Sequence, residues 1–258
     1  MDNMQKIPVF FTFDANYLLA AKVAIHSMMK HASRQYWYEL YVFHTTLSPK
    51  AQQSLRNSLK EFTHTELHFI DVTQYNEKIK NFGTKAHYSK EIFYKLIATD
   101  VLPQYDRIIC SDVDVVFTGD FSPVFFMFPN EKFYYAGVGP VENSRMPYYR
   151  KDFSTTEMEI LEHEIAAGFL LINLKELRND HKQEEIINFY VNNYPRLRLP
   201  EQDCIILTCW PYIKYLPIDY SLPISFYRLN MNQRDFYQGN TEFAGDKATA
   251  LAKFNKGL

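Results

Sequence analysis

The feature that most restricts this chain is a repeated switch between short apolar runs and helical spacing over its first 115 residues. Residues 7–13 (Ile-Pro-Val-Phe-Phe-Thr-Phe) form a strand-length run rich in β-formers. Residues 17–31 follow with Leu18, Ala21, Ile25, Met28 and Met29 near a 3.6-residue period. Residues 39–44, 67–72 and 107–111 read as further strands. Between them Ser48-Pro49 supplies an N-cap and a first-turn proline for a helix ending near Phe62, and residues 89–102 make another helix ahead of Pro103. Strands separated by helices cannot pair as tight hairpins. They need crossovers, which predicts an α/β fold with a mostly parallel central sheet flanked by helices.

After Asp114 the rhythm loosens. Residues 115–117, 133–137, 168–173 and 213–216 are predicted strands, and 156–164, 183–194 and 201–209 predicted helices. Residues 140–155 are polar and irregular, as a binding loop would be. No linker, repeat or low-complexity segment interrupts the chain, so residues 1–258 are read as one domain.

Composition removes several functions. The chain has only 8 glycines in 258 residues, where ordinary proteins carry about 7%. No G-x-G-x-x-G or G-x-x-x-x-G-K-[ST] can be assembled from them, and the nearest attempt, Gly137-Val-Gly139, runs into Pro140. Any nucleotide phosphate must be held by something other than a glycine loop. A net charge of −2 and a pI near 6.5 offer no basic field for nucleic acid. The longest apolar run, residues 165–172, is far short of the roughly 18 residues of a spanning helix. With a polar start at residues 1–6 and no leader pattern, the expected location is cytoplasmic, with peripheral association at the inner face of the membrane left open. Cys110, Cys204 and Cys209 lack a C-x-x-C and read as buried reduced thiols. There is no H-E-x-x-H for zinc hydrolysis and no G-x-S-x-G nucleophile elbow.

Asp112-Val113-Asp114 follows directly on the predicted strand at 107–111. In extended backbone the two carboxylates share a side and could converge on one hard ion, Mn²⁺ or Mg²⁺. That position, beyond the carboxyl end of a strand, is where open α/β sheets bind ligands. Asp14, Asn16 and Tyr17 follow the first strand on the same rim; the bland alternative is a helix cap. Glu201, Gln202 and Asp203 open a predicted helix, where acids also suit the dipole. Lys95 sits inside a predicted helix, ordinarily a solvated position.

Taken in order, these segments resemble glycosyltransferase family 8, the retaining GT-A enzymes that include lipopolysaccharide galactosyl- and glucosyltransferases and glycogenin. The matching pieces are Phe11-Thr-Phe-Asp14-Ala-Asn16-Tyr17, His68-Phe-Ile-Asp-Val72, Phe93-Tyr-Lys95-Leu96, Ile108-Ile-Cys-Ser-Asp112-Val113-Asp114, Ala167-Gly-Phe-Leu-Leu-Ile-Asn-Leu-Lys175 and Glu201-Gln202-Asp203. The resemblance implies a Rossmann-like GT-A sheet, a UDP-glucose or UDP-galactose donor, and a saccharide or glycoconjugate acceptor. It implies Mn²⁺ on Asp112 and Asp114, nucleotide-sugar contacts from Asp14, Asn16, Tyr17, Lys95, Asp112 and Val113, and catalytic positions at Glu201, Gln202 and Asp203.

Three departures accompany it. Ala166 stands where the family writes Asn, and Glu201 where it writes Asp. The family's closing H-x-x-G-x-x-K-P-W-like segment is not found before Leu258, which predicts weakened metal and donor binding. A non-catalytic sugar-nucleotide-binding protein is the alternative. A haloacid-dehalogenase-type phosphatase is less suited, because about 110 residues precede its would-be nucleophile motif and no G-D-x-x-x-D follows.

Overall fold

The computed structural model describes residues 4–80, 82, 89–139 and 151–221. Strands β1 (Lys6–Thr12), β2 (Trp37–His44), β3 (Thr65–Asp71), β4 (Arg107–Ser111), β5 (Tyr135–Val138), β6 (Phe169–Asn173) and β7 (Ile213–Leu216) form one sheet in the order β3-β2-β1-β4-β6-β5-β7. The β1–β2, β2–β3, β1–β4 and β5–β7 pairs are parallel, and β6 runs antiparallel to both β4 and β5. The sheet is thus mostly parallel, as the strand–helix alternation predicts.

Helices cover both faces, which explains the unbroken apolar runs of the central strands. In β1, Val9 and Phe11 face a cluster built with Ala21, Ala24, Ile25 and Met28 of α1 (Leu18–His31) and Leu55 of α2 (Pro49–Ser58). Phe10 faces the opposite cluster, with Ile186 and Tyr190 of α7 (Lys182–Asn193) and Ile205 and Ile206 of α8 (Pro200–Cys209). The remaining helices are α3 (Asn76–Ile79), α4 (Ala98–Val101), α5 (Thr155–Leu161) and α6 (Leu174–Asn179). Much of the aromatic surplus fills these two cores; Phe10 and Phe43 stack at 4.7 Å. All three cysteines are buried and unpaired, as expected.

Several boundaries differ from the sequence reading. Residues 115–117 form no strand: the Phe117 N–H bonds the Ser27 hydroxyl of α1 at 3.0 Å instead of a sheet neighbour. The predicted helix at 89–102 is split into a 3₁₀ helix, Lys90–Ile97, and α4. That 3₁₀ helix is wedged between β1, α7 and α8 and is buried nearly all round, from Glu91 through Phe93, Tyr94, Lys95, Leu96 and Ile97. The expected loop at 140–155 lies largely outside the described residues, and α5 begins at its end, where Ser154 and Glu157 form a reciprocal capping box.

Candidate active site

Strand topology sets the site. β1 and β4 run parallel with Phe11 opposite Ser111, so Asp14 and Asp112 both leave the sheet at its carboxyl rim. β6 runs the other way, so its amino end meets that rim: Ser111 lies opposite Phe169, and the Asp112 N–H bonds the Gly168 carbonyl at 2.8 Å. A Cβ on residue 168 would lie 3.3 Å from Asp112 Oδ2. Glycine keeps the flank of this carboxylate clear.

The strand stops at Ser111, and the backbone bends at Val113 and Asp114. The expectation that alternation in a strand aligns the two aspartates is therefore corrected: the pair lies in a strand-end bend. Asp112 is half-buried and Asp114 exposed. The Val113 side chain is buried in the α1-side core, so what it can offer a ligand is its backbone.

Lys95 is not solvated. It is 1% exposed, and its Nζ lies 2.7 Å from Asp112 Oδ1, 3.1 Å from Glu201 Oε1 and 3.1 Å from the Ala167 carbonyl. Its donors are fully used by the protein. Burial alone would lower the Lys95 pKa, but the carboxylates of Asp112 and Glu201 outweigh it and hold the ammonium above its ordinary range. Glu201 is buried as well, and its second oxygen, Oε2, has no hydrogen-bond partner.

Gln202 and Asp203 behave differently from Glu201. The Gln202 Oε1 accepts from the Ala167 N–H at 3.2 Å and its Nε2 donates to Glu164 Oε2 at 2.9 Å. Asp203 is fully buried, with Oδ2 accepting from the Arg198 N–H at 2.6 Å and the Leu199 N–H at 3.0 Å. It shapes the entry to α8 and is not brought together with Lys95 and Asp112.

At the other side of the rim, Asp14 accepts from the Asn16 N–H at 2.8 Å, and the Asn16 amide returns a bond to Asp14 Oδ2 at 3.2 Å. The capping alternative is thus realised. Both residues also line a cleft of about 590 Å³, together with Thr46, Glu91 and Tyr190; Tyr17 is 38% exposed and stands outside it. Glu91 is 2% exposed with an unpartnered Oε1, a residue the sequence reading missed. Lys95, Asp112 and Glu201 are not on the wall of this cleft.

Among the described residues, one cluster has three ligand atoms close enough to hold a metal: Glu39, Glu66 and His68. It lies near the amino ends of β2 and β3, away from the carboxyl rim. Lys6 already sits 2.6 Å from Glu39 Oε1 and His68 Nε2 3.0 Å from Glu39 Oε2, so the cluster reads as an ion-pair network. The Asp112–Asp114 bend fits a divalent cation better: its donors are hard oxygens, one flank of Asp112 is kept clear by Gly168, and it lies on the ligand-binding rim.

The sequence profile of glycosyl transferase family 8 matches residues 8–244. The chain belongs to this family. Solved structures agree in fold. The bifunctional glycosyltransferase WbbM, in its apo form, shares 18% identity at a TM-score of 0.68, over 90% of this chain and 44% of its own. The glycosyltransferase GlyE of Streptococcus pneumoniae shares 17% at 0.66, over 91% of this chain and 52% of its own. The galactosyltransferase LgtC, in complex with donor and acceptor sugar analogs, shares 17% at 0.68, over 86% of this chain and 78% of its own. The chain therefore spans about half the length of the WbbM and GlyE structures. No curated protein matches the sequence. At these identities the likeness establishes the GT-A fold, and the family match establishes membership of family 8. No helix among its described residues is long and apolar enough to cross a membrane.

Two features of this family 8 site were not read from the sequence: the inward turn of Glu91 and the contact of Glu164 with Gln202. Neither had a local signal, because each depends on a segment distant along the chain.

Proposed function

We propose that this family 8 chain transfers a hexose, glucose or galactose, from a UDP-sugar to a hydroxyl of a saccharide or glycoconjugate acceptor, with retention at the anomeric carbon. The observation that carries the reading is the buried Lys95 ammonium joining Asp112 to Glu201 at the carboxyl rim. It ties the acid beside the expected diphosphate to the acid beside the expected sugar.

Asp14 and Asn16, on the wall of the 590 Å³ cleft, are proposed to receive the nucleoside. Asp112 and Asp114 are proposed to hold Mn²⁺ or Mg²⁺, which when bound supplies Lewis-acid stabilisation of the leaving diphosphate. Glu201 Oε2, buried and unpartnered, is suited to accept a hydroxyl of the donor sugar. Lys95 holds that carboxylate by its other oxygen.

The transfer is read as proceeding without a covalent intermediate, with Glu201 Oε2 given to a hydroxyl of the donor sugar and its two neighbours ill suited to attack. Asp203 Oδ2 is engaged by two backbone N–H groups, and Gln202 is an uncharged amide and a poor nucleophile. The acceptor oxygen therefore attacks the anomeric carbon on the face from which the diphosphate departs. The new glycosidic bond forms as the old one breaks, and the hydroxyl proton passes to the departing phosphate oxygen. The transition state is oxocarbenium-like, so carboxylates near it favour it electrostatically.

The test is donor hydrolysis of UDP-glucose and UDP-galactose with Mn²⁺, followed by product release, for the native chain and Asp112→Asn. The expected loss in the variant is on the order of 100-fold, as for removal of a principal electrostatic group. Hydrolysis that is unchanged in Asp112→Asn, or a glycosyl adduct trapped on Glu201 or Asp203, would overturn the reading.

A further inference from the structure

The segment ahead of β6 does more than lead into a strand. Within a few residues, Glu164 Oε2 accepts from Gln202, the Ala167 N–H donates to Gln202, the Ala167 carbonyl accepts from Lys95, and the Gly168 carbonyl accepts from Asp112. This stretch thus holds the side chains of Gln202 and Lys95 and the backbone of Asp112. Glu164 is its one charged side chain, and it is only 8% exposed.

The Gln202 amide is the group whose direction this clamp decides. A primary amide can rotate by half a turn and exchange its oxygen with its nitrogen at little steric cost. Here both neighbours vote the same way. Ala167 presents a donor, 3.2 Å from Oε1, and Glu164 presents an acceptor, 2.9 Å from Nε2. The rotated amide would set oxygen against carboxylate oxygen and N–H against N–H, losing two hydrogen bonds and gaining two repulsions. The observed orientation leaves Gln202 one N–H and one oxygen lone pair for a ligand.

We propose that Glu164 is a positioning residue for glycosyl transfer, fixing the orientation of the Gln202 amide beside the anomeric centre. This rests on the family 8 reading of Gln202 and adds a residue to it. It also gives Ala166 a context: this chain lacks an amide at 166, and two positions earlier it carries a carboxylate that reaches the neighbouring amide. A neutral glutamine at 164 could offer either its oxygen or its nitrogen, so the preference would fall. Alanine would leave Ala167 alone to orient the amide.

The experiment compares native, Glu164→Gln, Glu164→Ala, Gln202→Ala and Glu164→Ala/Gln202→Ala chains in UDP-sugar hydrolysis with Mn²⁺. Calorimetric binding of UDP is measured alongside. Glu164→Gln, nearly isosteric, is expected to lower kcat about tenfold while UDP affinity stays within about twofold. Because Glu164 acts through Gln202, Glu164→Ala should add no loss in the Gln202→Ala background. Independent losses in the double variant, or an unchanged kcat in Glu164→Gln, would overturn the proposal. Side-chain amide NMR separates this from failure of the hydrolase assay itself. The Gln202 NH₂ pair, assigned by its loss in Gln202→Ala, must shift in Glu164→Gln even in a chain that turns over no UDP-sugar. An unmoved pair rejects the Glu164 assignment alone; a shifted pair with no turnover rejects the donor reading and keeps the contact.

Discussion

Two clusters of acids and bases stand at opposite ends of the same sheet, and burial treats them differently. Near the amino ends, Lys6, Glu39, His68 and Glu66 form a chain of ion pairs with Lys6 and Glu66 largely in solvent. At the carboxyl rim, Lys95 bridges Asp112 and Glu201 with the lysine and Glu201 almost completely covered. The first arrangement satisfies itself. The second leaves Glu201 Oε2 without a partner and one flank of Asp112 clear. Composition alone would rate the amino-end group the better metal site, since it has the histidine. Its position at the wrong end of the strands argues otherwise, as does the occupation of both Glu39 oxygens, whereas Lys95 takes only one oxygen of Asp112. What distinguishes a site from a salt-bridge network here is unfilled valence on a buried group at the ligand-binding rim.

Lys95→Met gives the largest effect that can break this contrast. It removes the cation that, among the described residues, Asp112 and the covered Glu201 share, which should cost about 3 kcal/mol in denaturant unfolding. Most of that cost should fall on Glu201, whose side chain is 9% exposed against 34% for Asp112. A loss below about 0.5 kcal/mol would mean that the rim pairs are no different from surface ones.

Gly168→Ala is expected to act on function with little effect on folding. The added Cβ would press on Asp112 Oδ2 from 3.3 Å, so the carboxylate must shift by a few tenths of an ångström. Mn²⁺ affinity, followed by titration calorimetry, should weaken about fivefold while the unfolding midpoint barely moves, since site geometry tolerates little displacement. Unaltered affinity would show that Asp112 has room to spare.

Lys6→Met should have the smallest effect, and its pH dependence gives the sign. Hydrogen bonding to Glu39, with the charge of Glu39 behind it, raises the Lys6 pKa above its usual 10.5. A base whose pKa is raised on folding contributes stability fully below its unfolded pKa and loses it as pH rises through the folded one. The small difference between native and variant should be constant from pH 7 to 9 and close only above 10.5. A difference that instead grows with alkalinity would show that Lys6 is not held by Glu39.

Much of the fold was legible because it is written locally. Phe10 and Phe11 alternate between two cores, Ser48 and Pro49 start α2, and the apolar residues of α1 repeat at helical spacing. The strand-end acids Asp14 and Asp112 were legible for the same reason: each follows an apolar run directly. The strand expected at 115–117 failed because a side chain on α1 captured a backbone N–H that the local pattern assigns to the sheet. Lys95 read as a solvated helix residue and Glu91 gave no signal at all, since nothing nearby in sequence announces that α7 and α8 will cover them.

The sequence by itself determined the parallel sheet, the carboxyl rim on which the site is proposed, and the acids placed along that rim. Periodicity and strand-end position are properties of neighbouring residues, and neighbours are what a sequence displays. Only the tertiary structure decided which of those acids keep an open valence. Lys95 meets Glu201 across 106 positions and the Ala167 carbonyl across 72, and Glu164 meets Gln202 across 38. Such contacts arise when α8 and the stretch ahead of β6 pack against one another, and burial then sets how strongly each charge is felt.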